Sequence, residues 1–310
     1  MQTILITGGT GIIGNALTHM LVSKGYEVII LSRSEKASDN ASVSCAQWDV
    51  NNGTIDIAAI KKADYIVHLA GAGVADKRWT KKRKQEITES RTKSGELLVK
   101  ALKENDNKVK AVVSASAIGW YGPDNAISKK EGFREDALSY EDFLGNTCLQ
   151  WEQSTKPIEA LGKRLVYIRT GIVLSNNGGA LKEFKKPLRF GVAAILGGGK
   201  QIISWIHIED ICRMYIYAIE NEISGVFNAV APKPVSNKTL TLELAKKIRG
   251  KFFIPIHVPS FVLKIILGEM SVEVLKSATV NDDKIRNAGF RFLYPSIDAA
   301  LNELIKNKSA

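Results

Sequence analysis

The stretch Thr3-Ile-Leu-Ile-Thr-Gly-Gly-Thr-Gly-Ile-Ile-Gly14 constrains this chain more than any other. An apolar run ending at Thr7 reads as a buried strand, and Asn15-Ala16-Leu17 opens a helical period. Between them Gly8, Gly11 and Gly14 recur every third residue. A strand that turns tightly into a helix points free backbone N–H groups and a positive dipole end at one spot, where a pyrophosphate binds. Gly8 permits the turn, Gly11 lets the backbone approach the phosphates, and Gly14 allows close packing of helix on strand. Thr10, Ile12 and Ile13 complete the expected phosphate loop.

The second strand narrows the ligand. Glu27-Val28-Ile29-Ile30-Leu31 ends in Ser32-Arg33-Ser34, and the nearest acids, Glu35 and Asp39, lie further along. Folds that prefer NAD place an acid at this strand end for the ribose 2′-hydroxyl, whereas an arginine accommodates a 2′-phosphate. Ser32 and Arg33 therefore favour NADP(H), against the plainer reading of Arg33 as a solvated surface residue. Asp49, after the short strand Cys45–Trp48, suits either a contact to the adenine amino group or a cap on the following turn.

Strand-like runs at Tyr65–Leu69, Lys110–Ser114, Leu165–Arg169 and Val226–Ala229 alternate with helical stretches at Ile57–Lys62, Arg83–Glu104 and Asp142–Ala160. The alternation predicts an α/β fold, a Rossmann-type doubly wound parallel sheet with helices on both faces. It weakens after Gly171. Residues 176–204, rich in Gly and basic side chains, read as a substrate loop or an insertion. Apolar helices at Pro259–Gly268, Met270–Ala278 and Asp298–Lys306 suggest a small helical C-terminal domain over 231–310, after a dinucleotide domain over 1–230.

Composition excludes several alternatives. Three scattered cysteines, Cys45, Cys148 and Cys212, give neither a disulfide framework nor a zinc pattern, so no metal is expected. No signal peptide fits before a strand that starts at Gln2, and no apolar run reaches membrane-spanning length, which points to the cytoplasm. Much of the net charge of +11 comes from Asp76–Lys93. A basic stripe bearing Trp79 fits nucleic acid in principle, but Glu86, Glu89 and Glu96 interleave with it, as on a solvated helix face. Small-molecule binding is the expected function, with a homodimer as one assembly to consider.

Further motifs are HLAGAGV at 68–74, RW at 78–79, SR at 90–91, SASAIGWYG at 114–122, RTGIVL at 169–174, GGGKQIISWIHIEDI at 197–211, FNAVAP at 227–232 and GFRFLYP at 289–295. Together with TGGTGIIG at 7–14 they span nearly the whole chain. The chain resembles the extended branch of the short-chain dehydrogenase/reductases, the NAD(P)-dependent epimerases and dehydratases of nucleotide sugars. Within it, the chain is similar to the atypical "epimerase family protein" group, which carries a C-terminal domain of unknown function.

The resemblance implies that the glycine loop, Arg33, Asp49 and the Leu69-Ala70-Gly71 turn bind the dinucleotide. It places Ser116 at the catalytic serine position and Tyr121 at the Tyr-Gly that follows, with an extra residue at Gly119-Trp120 between them. It also exposes a departure. Active members carry Tyr-x-x-x-Lys on the next helix, the tyrosine exchanging a proton with substrate and the lysine lowering its pKa. Aligned on Trp151-Glu152, Leu144 and Cys148 occupy those positions. Replacement candidates are Tyr121, Cys148 and His207, the last more naturally structural with Asp210; Lys200 and Gln201 could meet a substrate phosphate, as could Lys182, Lys185, Lys186 and Arg189 an anionic substrate. The implied activity is an NADP(H)-dependent oxidoreductase or epimerase acting on a small polar substrate; a non-catalytic NADPH sensor is the alternative.

Overall fold

A computed structural model of the protein describes residues 1–33, 38 and 40–306; Ser34, Glu35 and Asp39 of the second-strand argument lie outside the described residues. The strands are β1 (Thr3–Thr7), β2 (Glu27–Ser32), β3 (Val43–Asp49), β4 (Thr54–Ile55), β5 (Tyr65–His68), β6 (Ala111–Ala117), β7 (Arg164–Thr170), β8 (Ile172–Leu174), β9 (Val192–Leu196), β10 (Ile202–Ile203), β11 (Trp205–His207), β12 (Gly225–Ala229), β13 (Val235–Ser236) and β14 (Ile254–Val258). The helices are α1 (Ile12–Ser23), α2 (Ile57–Lys62), α3 (Lys81–Glu104), α4 (Ser128–Glu131), α5 (Phe143–Thr155), α6 (Ala180–Leu188), α7 (Ile208–Glu220), α8 (Asn237–Arg249), α9 (Ser260–Leu267), α10 (Ser271–Leu275), α11 (Asp283–Asn287) and α12 (Ile297–Lys306).

Among the described residues the central sheet has eight strands in the order β12-β7-β6-β5-β1-β2-β3-β4. Seven run parallel and only β4 pairs antiparallel, against β3. Continuous apolar runs make this possible: β1 is buried along its whole length, as a strand covered on both faces must be. One apolar cluster fills the face under α1 and α7, drawing on Ile4, Leu17, Val67, Ile211 and Phe227. A second fills the opposite face with Leu5, Ile66, Leu98, Val112 and Ile158. The order reverses between β1 and β5, so the crevice at the carboxyl ends of these two strands is the natural ligand position.

Residues 176–204 are not one open loop. They form α6, β9 and β10, and β9 pairs in parallel with β14 from the C-terminal region. A third cluster joins Leu181, Leu188 and Ala193 to Leu240, Leu244 and Leu301. The smaller unit is thus packed from both sides of residue 230. Among the described residues no helix is long and apolar enough to cross a membrane.

Candidate functional site

The turn after β1 is built as its glycines require. Gly8 adopts φ 68°, and a β-carbon on it would lie 2.9 Å from the Leu69 carbonyl at the end of β5. A β-carbon on Gly14 would come within 2.5 Å of the Gly8 oxygen and 2.6 Å of Gly9 Cα, so α1 can approach β1 this closely only with glycine there. Gly11 caps α1 in an extended conformation without any side-chain hydrogen bond. The first helical amides, Ile12, Ile13 and Gly14, therefore have no partner among the described residues, while Thr10 and Gly11 are exposed above them. Uncapped amides under an open turn form an anion site.

Thr7 ties this turn to the next strand. Its Oγ1 accepts the amides of Leu69 and Ala70, both at 3.1 Å, so its one proton goes to His68 Nδ1, 2.8 Å away. Ser94 donates to the Arg91 carbonyl and so accepts from His68 Nε2, 3.4 Å away. A neutral imidazole satisfies this chain, and complete burial lowers the His68 pKa to about 4. Below pH ~6.5 the unfolded chain binds a proton that the folded chain refuses. Stability should therefore fall between about pH 6.5 and 4, and level off below, by at most about 3 kcal/mol. Urea unfolding across that range should show a shallower pH slope for His68→Gln than for the wild type; parallel slopes would remove His68 from the effect.

Ser32 and Arg33 leave the carboxyl end of β2, with Arg33 exposed to solvent, as a phosphate contact needs. Asp49 goes the other way. Its Oδ1 accepts the amides of Asn51 (2.9 Å) and Asn52 (3.1 Å) and its Oδ2 the Asn52 side chain (2.8 Å), so the carboxylate caps the turn after β3.

Ser116 and Tyr121, expected as the catalytic pair, are both buried, with their hydroxyls hydrogen-bonded inside the protein. In the sheet register Ser116, Arg169 and Asn228 lie side by side on β6, β7 and β12. Glu152 of α5 meets this row: Arg169 Nε and Nη2 lie 2.9 and 3.1 Å from its two oxygens, and Ser116 donates to it at 2.7 Å. Tyr121 is 0 % exposed; its hydroxyl donates to Asn228 Oδ1 at 2.7 Å and accepts from Arg169 Nη1 at 3.1 Å, with its ring stacked on Phe133. Burial pushes its pKa up to about 12. Burial, the largest single influence, works against the charge of Arg169, yet the hydrogen bonds and charge interactions with Glu152 and Tyr121 together outweigh it and the pKa rises. This is a satisfied internal polar network. Sequence reasoning quoted Arg169 and Asn228 only within motifs; a charged and an amide residue inside otherwise apolar strands were the available signal.

The face of α5 that should carry a proton-transfer pair does lie over the end of β6. A β-carbon on Gly119 would sit 3.2 Å from Leu144 and 3.6 Å from Cys148 Sγ. Neither can serve: Leu144 has no proton to give, and burial raises the Cys148 thiol to about 12. His207 caps α7, Nδ1 accepting the Glu209 amide and Nε2 donating to Glu303 at 2.7 Å. Asp210 accepts the amides of Leu293 and Tyr294, so this pair anchors the C-terminal tail. Gln201 is buried and donates to the Leu196 carbonyl, while Lys200 is exposed. Lys185 and Lys186 bond Asn176 and Glu183 along exposed α6. The basic stretch is the first half of α3, where Lys93 pairs with Glu89 and where Arg83 and Arg91 turn inward.

Residues 4–143 match the NAD dependent epimerase/dehydratase family, and residues 258–304 match a domain of unknown function, DUF1731. The epimerase family protein YfhF of Bacillus subtilis is 37% identical over 309 residues, covering 99% of both chains. The crystal structure of human epimerase family protein SDR39U1 with NADPH superposes with a TM-score of 0.86 at 29% identity, covering 99% of this chain and 100% of that one. The nucleoside-diphosphate sugar epimerase of Corynebacterium glutamicum follows at 0.77 and 32%, covering 98% of this chain and 58% of that chain. A glycine turn of this geometry at a sheet reversal, with full-length similarity of this kind, leads to one conclusion: the chain belongs to the NAD dependent epimerase/dehydratase family, with a DUF1731 domain at its C-terminal end.

Proposed function

We propose that this protein binds NADP(H) at the turn between β1 and α1 and acts as an epimerase or reductase on a small polar substrate, a nucleotide sugar being the class favoured. The uncapped N-terminus of α1 beneath Thr10 and Gly11 carries this reading. The amides of Ile12 and Ile13 would hold the pyrophosphate, Ser32 and Arg33 the 2′-phosphate, and the Leu69-Ala70-Gly71 turn would line the second half of the cofactor. NADPH in the human relative and the sugar-nucleotide name of the Corynebacterium one support the cofactor and the substrate class. Bound cofactor would supply hydride; the chain's part is to orient it and keep water out.

Cofactor choice is the direct test. Calorimetry should find NADPH bound about ten- to a hundredfold more tightly than NADH, the range expected for a charge-assisted contact. Arg33→Ala should erase most of that difference without altering NADH affinity. Equal affinities in the wild type would refute the assignment.

One observation favours a second reading, a protein that binds NADPH without turning it over and reports it to a partner. Leu144 and Cys148 offer no proton-transfer pair, and the hydroxyls of Ser116 and Tyr121 are committed elsewhere. Following NADPH fluorescence against a panel of sugar nucleotides and aldehydes separates the two: consumption supports the enzyme, tight binding without consumption the sensor.

A further inference from the structure

Large apolar side chains are exposed along one stretch of the smaller unit, from Phe252 through α9 to Val272. Ile254 and Ile256 share one face of β14, and Phe252, 86 % exposed, precedes them in the same alternating phase. The buried residue of α9 is Leu263. Phe261 and Ile265, 65 % and 69 % exposed, stand one turn apart on the opposite, outward side, with Ile266 exposed beside them. A helix apolar on all sides belongs in an interior, and here one side of it faces water.

The stretch is not a loose tail. Arg78 Nη2 donates to the Ile265 carbonyl at 2.6 Å, and Glu269 pairs with Lys84 of α3. Ser260 and Leu275 close on Gly197, where an added β-carbon would lie 2.8 Å from Leu275 Cδ2 and 3.3 Å from Ser260 Oγ. Eight residues are too few to hold a helix alone, so these anchors fix α9 with its apolar side outward.

The six apolar side chains named on β14, before it and on α9 offer on the order of 700 Å², more than the largest patch of a typical monomer and close to the ~800 Å² per partner of a standard protein interface. Between Phe252 and Val272 the charged side chains are Lys264 and Glu269, one of each sign, in a chain of net charge +11. A face built for an anionic partner would carry a surplus of Lys or Arg. A face without net charge can meet its own copy without repulsion, as a two-fold interface requires. The Ile254 amide donates to Gly191 and the Val258 carbonyl accepts from Gly197, so Pro255 and His257 turn their backbone to the free edge of β14. Proline has no N–H to give there, which disfavours the addition of another strand and leaves side chains to make the contact.

We propose that this face is a homodimer interface, in which α9 and the Ile254–Ile256 face of β14 pack against the same elements of a second copy about a two-fold axis. Sedimentation equilibrium of the full-length protein at tens of micromolar should give twice the 34.0 kDa mass of the chain. Phe261→Glu with Ile265→Glu places two carboxylates from each copy in the contact and should weaken dimerisation at least about a hundredfold, with far-UV circular dichroism unchanged. Ile254→Glu, on the strand, should do the same and decides the matter if the double variant does not fold. Leu138→Glu, at an exposed apolar position in the segment before α5, should leave the dimer intact. A wild-type monomer overturns the proposal, and so does a dimer that a folded interface variant leaves unchanged, which would put the contact elsewhere. A wild-type monomer that co-sediments with phosphatidylglycerol–phosphatidylcholine vesicles would overturn it in favour of a lipid surface.

Discussion

Glu152→Ala is expected to destabilise the fold by about 3–5 kcal/mol, the usual cost of stranding one partner of a buried ion pair. Among the described residues Glu152 is the one carboxylate paired with Arg169, which is buried on β7, and it accepts from Ser116 as well. Its removal leaves a guanidinium stacked 3.6 Å from the Trp120 ring centroid with no anion, and a serine hydroxyl with no acceptor. Chemical unfolding followed by circular dichroism measures the loss. Replacing both partners, Glu152→Ala with Arg169→Met, should cost less than the sum of the single changes, because the second removes the charge that the first stranded. A loss below about 1 kcal/mol for Glu152→Ala would mean that water reaches Arg169 and that the network is not the closed one described.

The glycine turn gives the second large effect, and two positions in it should respond differently. At Gly14 the added β-carbon meets the backbone of Gly8 and Gly9, which cannot step aside. Gly14→Ala should therefore both lower stability and abolish NADPH binding. At Gly11 the nearest atom to an added β-carbon is the Gly8 oxygen at 3.3 Å, and the backbone is extended at φ −75°, which any residue adopts. Gly11→Val should thus fold with a melting temperature near wild type yet lose at least about a hundredfold in NADPH affinity, or ~3 kcal/mol, because its branches cover the α1 amides. Thermal melts and titrations of the two variants check this. Normal NADPH binding by folded Gly11→Val would show that the ligand does not cross this turn.

What the sequence revealed and what it hid follow from how local each signal was. The β1–turn–α1 unit needs only its own residues, and α2 spans Ile57–Lys62 as its pattern predicts, with Asp56 capping the Ala59 amide. Helix α5 stops at Thr155 rather than Ala160, and Pro157 sits in the 3₁₀ turn that follows. The burial of Tyr121 was not legible for a non-local reason: Phe133, Arg169 and Asn228, distant in sequence, close around it. The same holds for the row Ser116, Arg169 and Asn228, which exists only once the register of β6, β7 and β12 is known. Residues 176–204 resembled a loop because Gly178, Gly179 and Gly191 interrupt them, all at positive φ, while α6 and β9 are held by α8 and β14 far along the chain. Pro255 in β14 faces no such contradiction, since among the described residues that strand is an edge paired with β9 alone.

The central claim is that α1 presents its first amides to the pyrophosphate of NADP(H). A crystal structure of the protein with NADPH tests it most directly. The account predicts pyrophosphate oxygens within hydrogen-bond distance of the Ile12 and Ile13 amides, with the 2′-phosphate against Ser32 and Arg33. A pyrophosphate seated elsewhere, or a 2′-phosphate remote from Arg33, would contradict it.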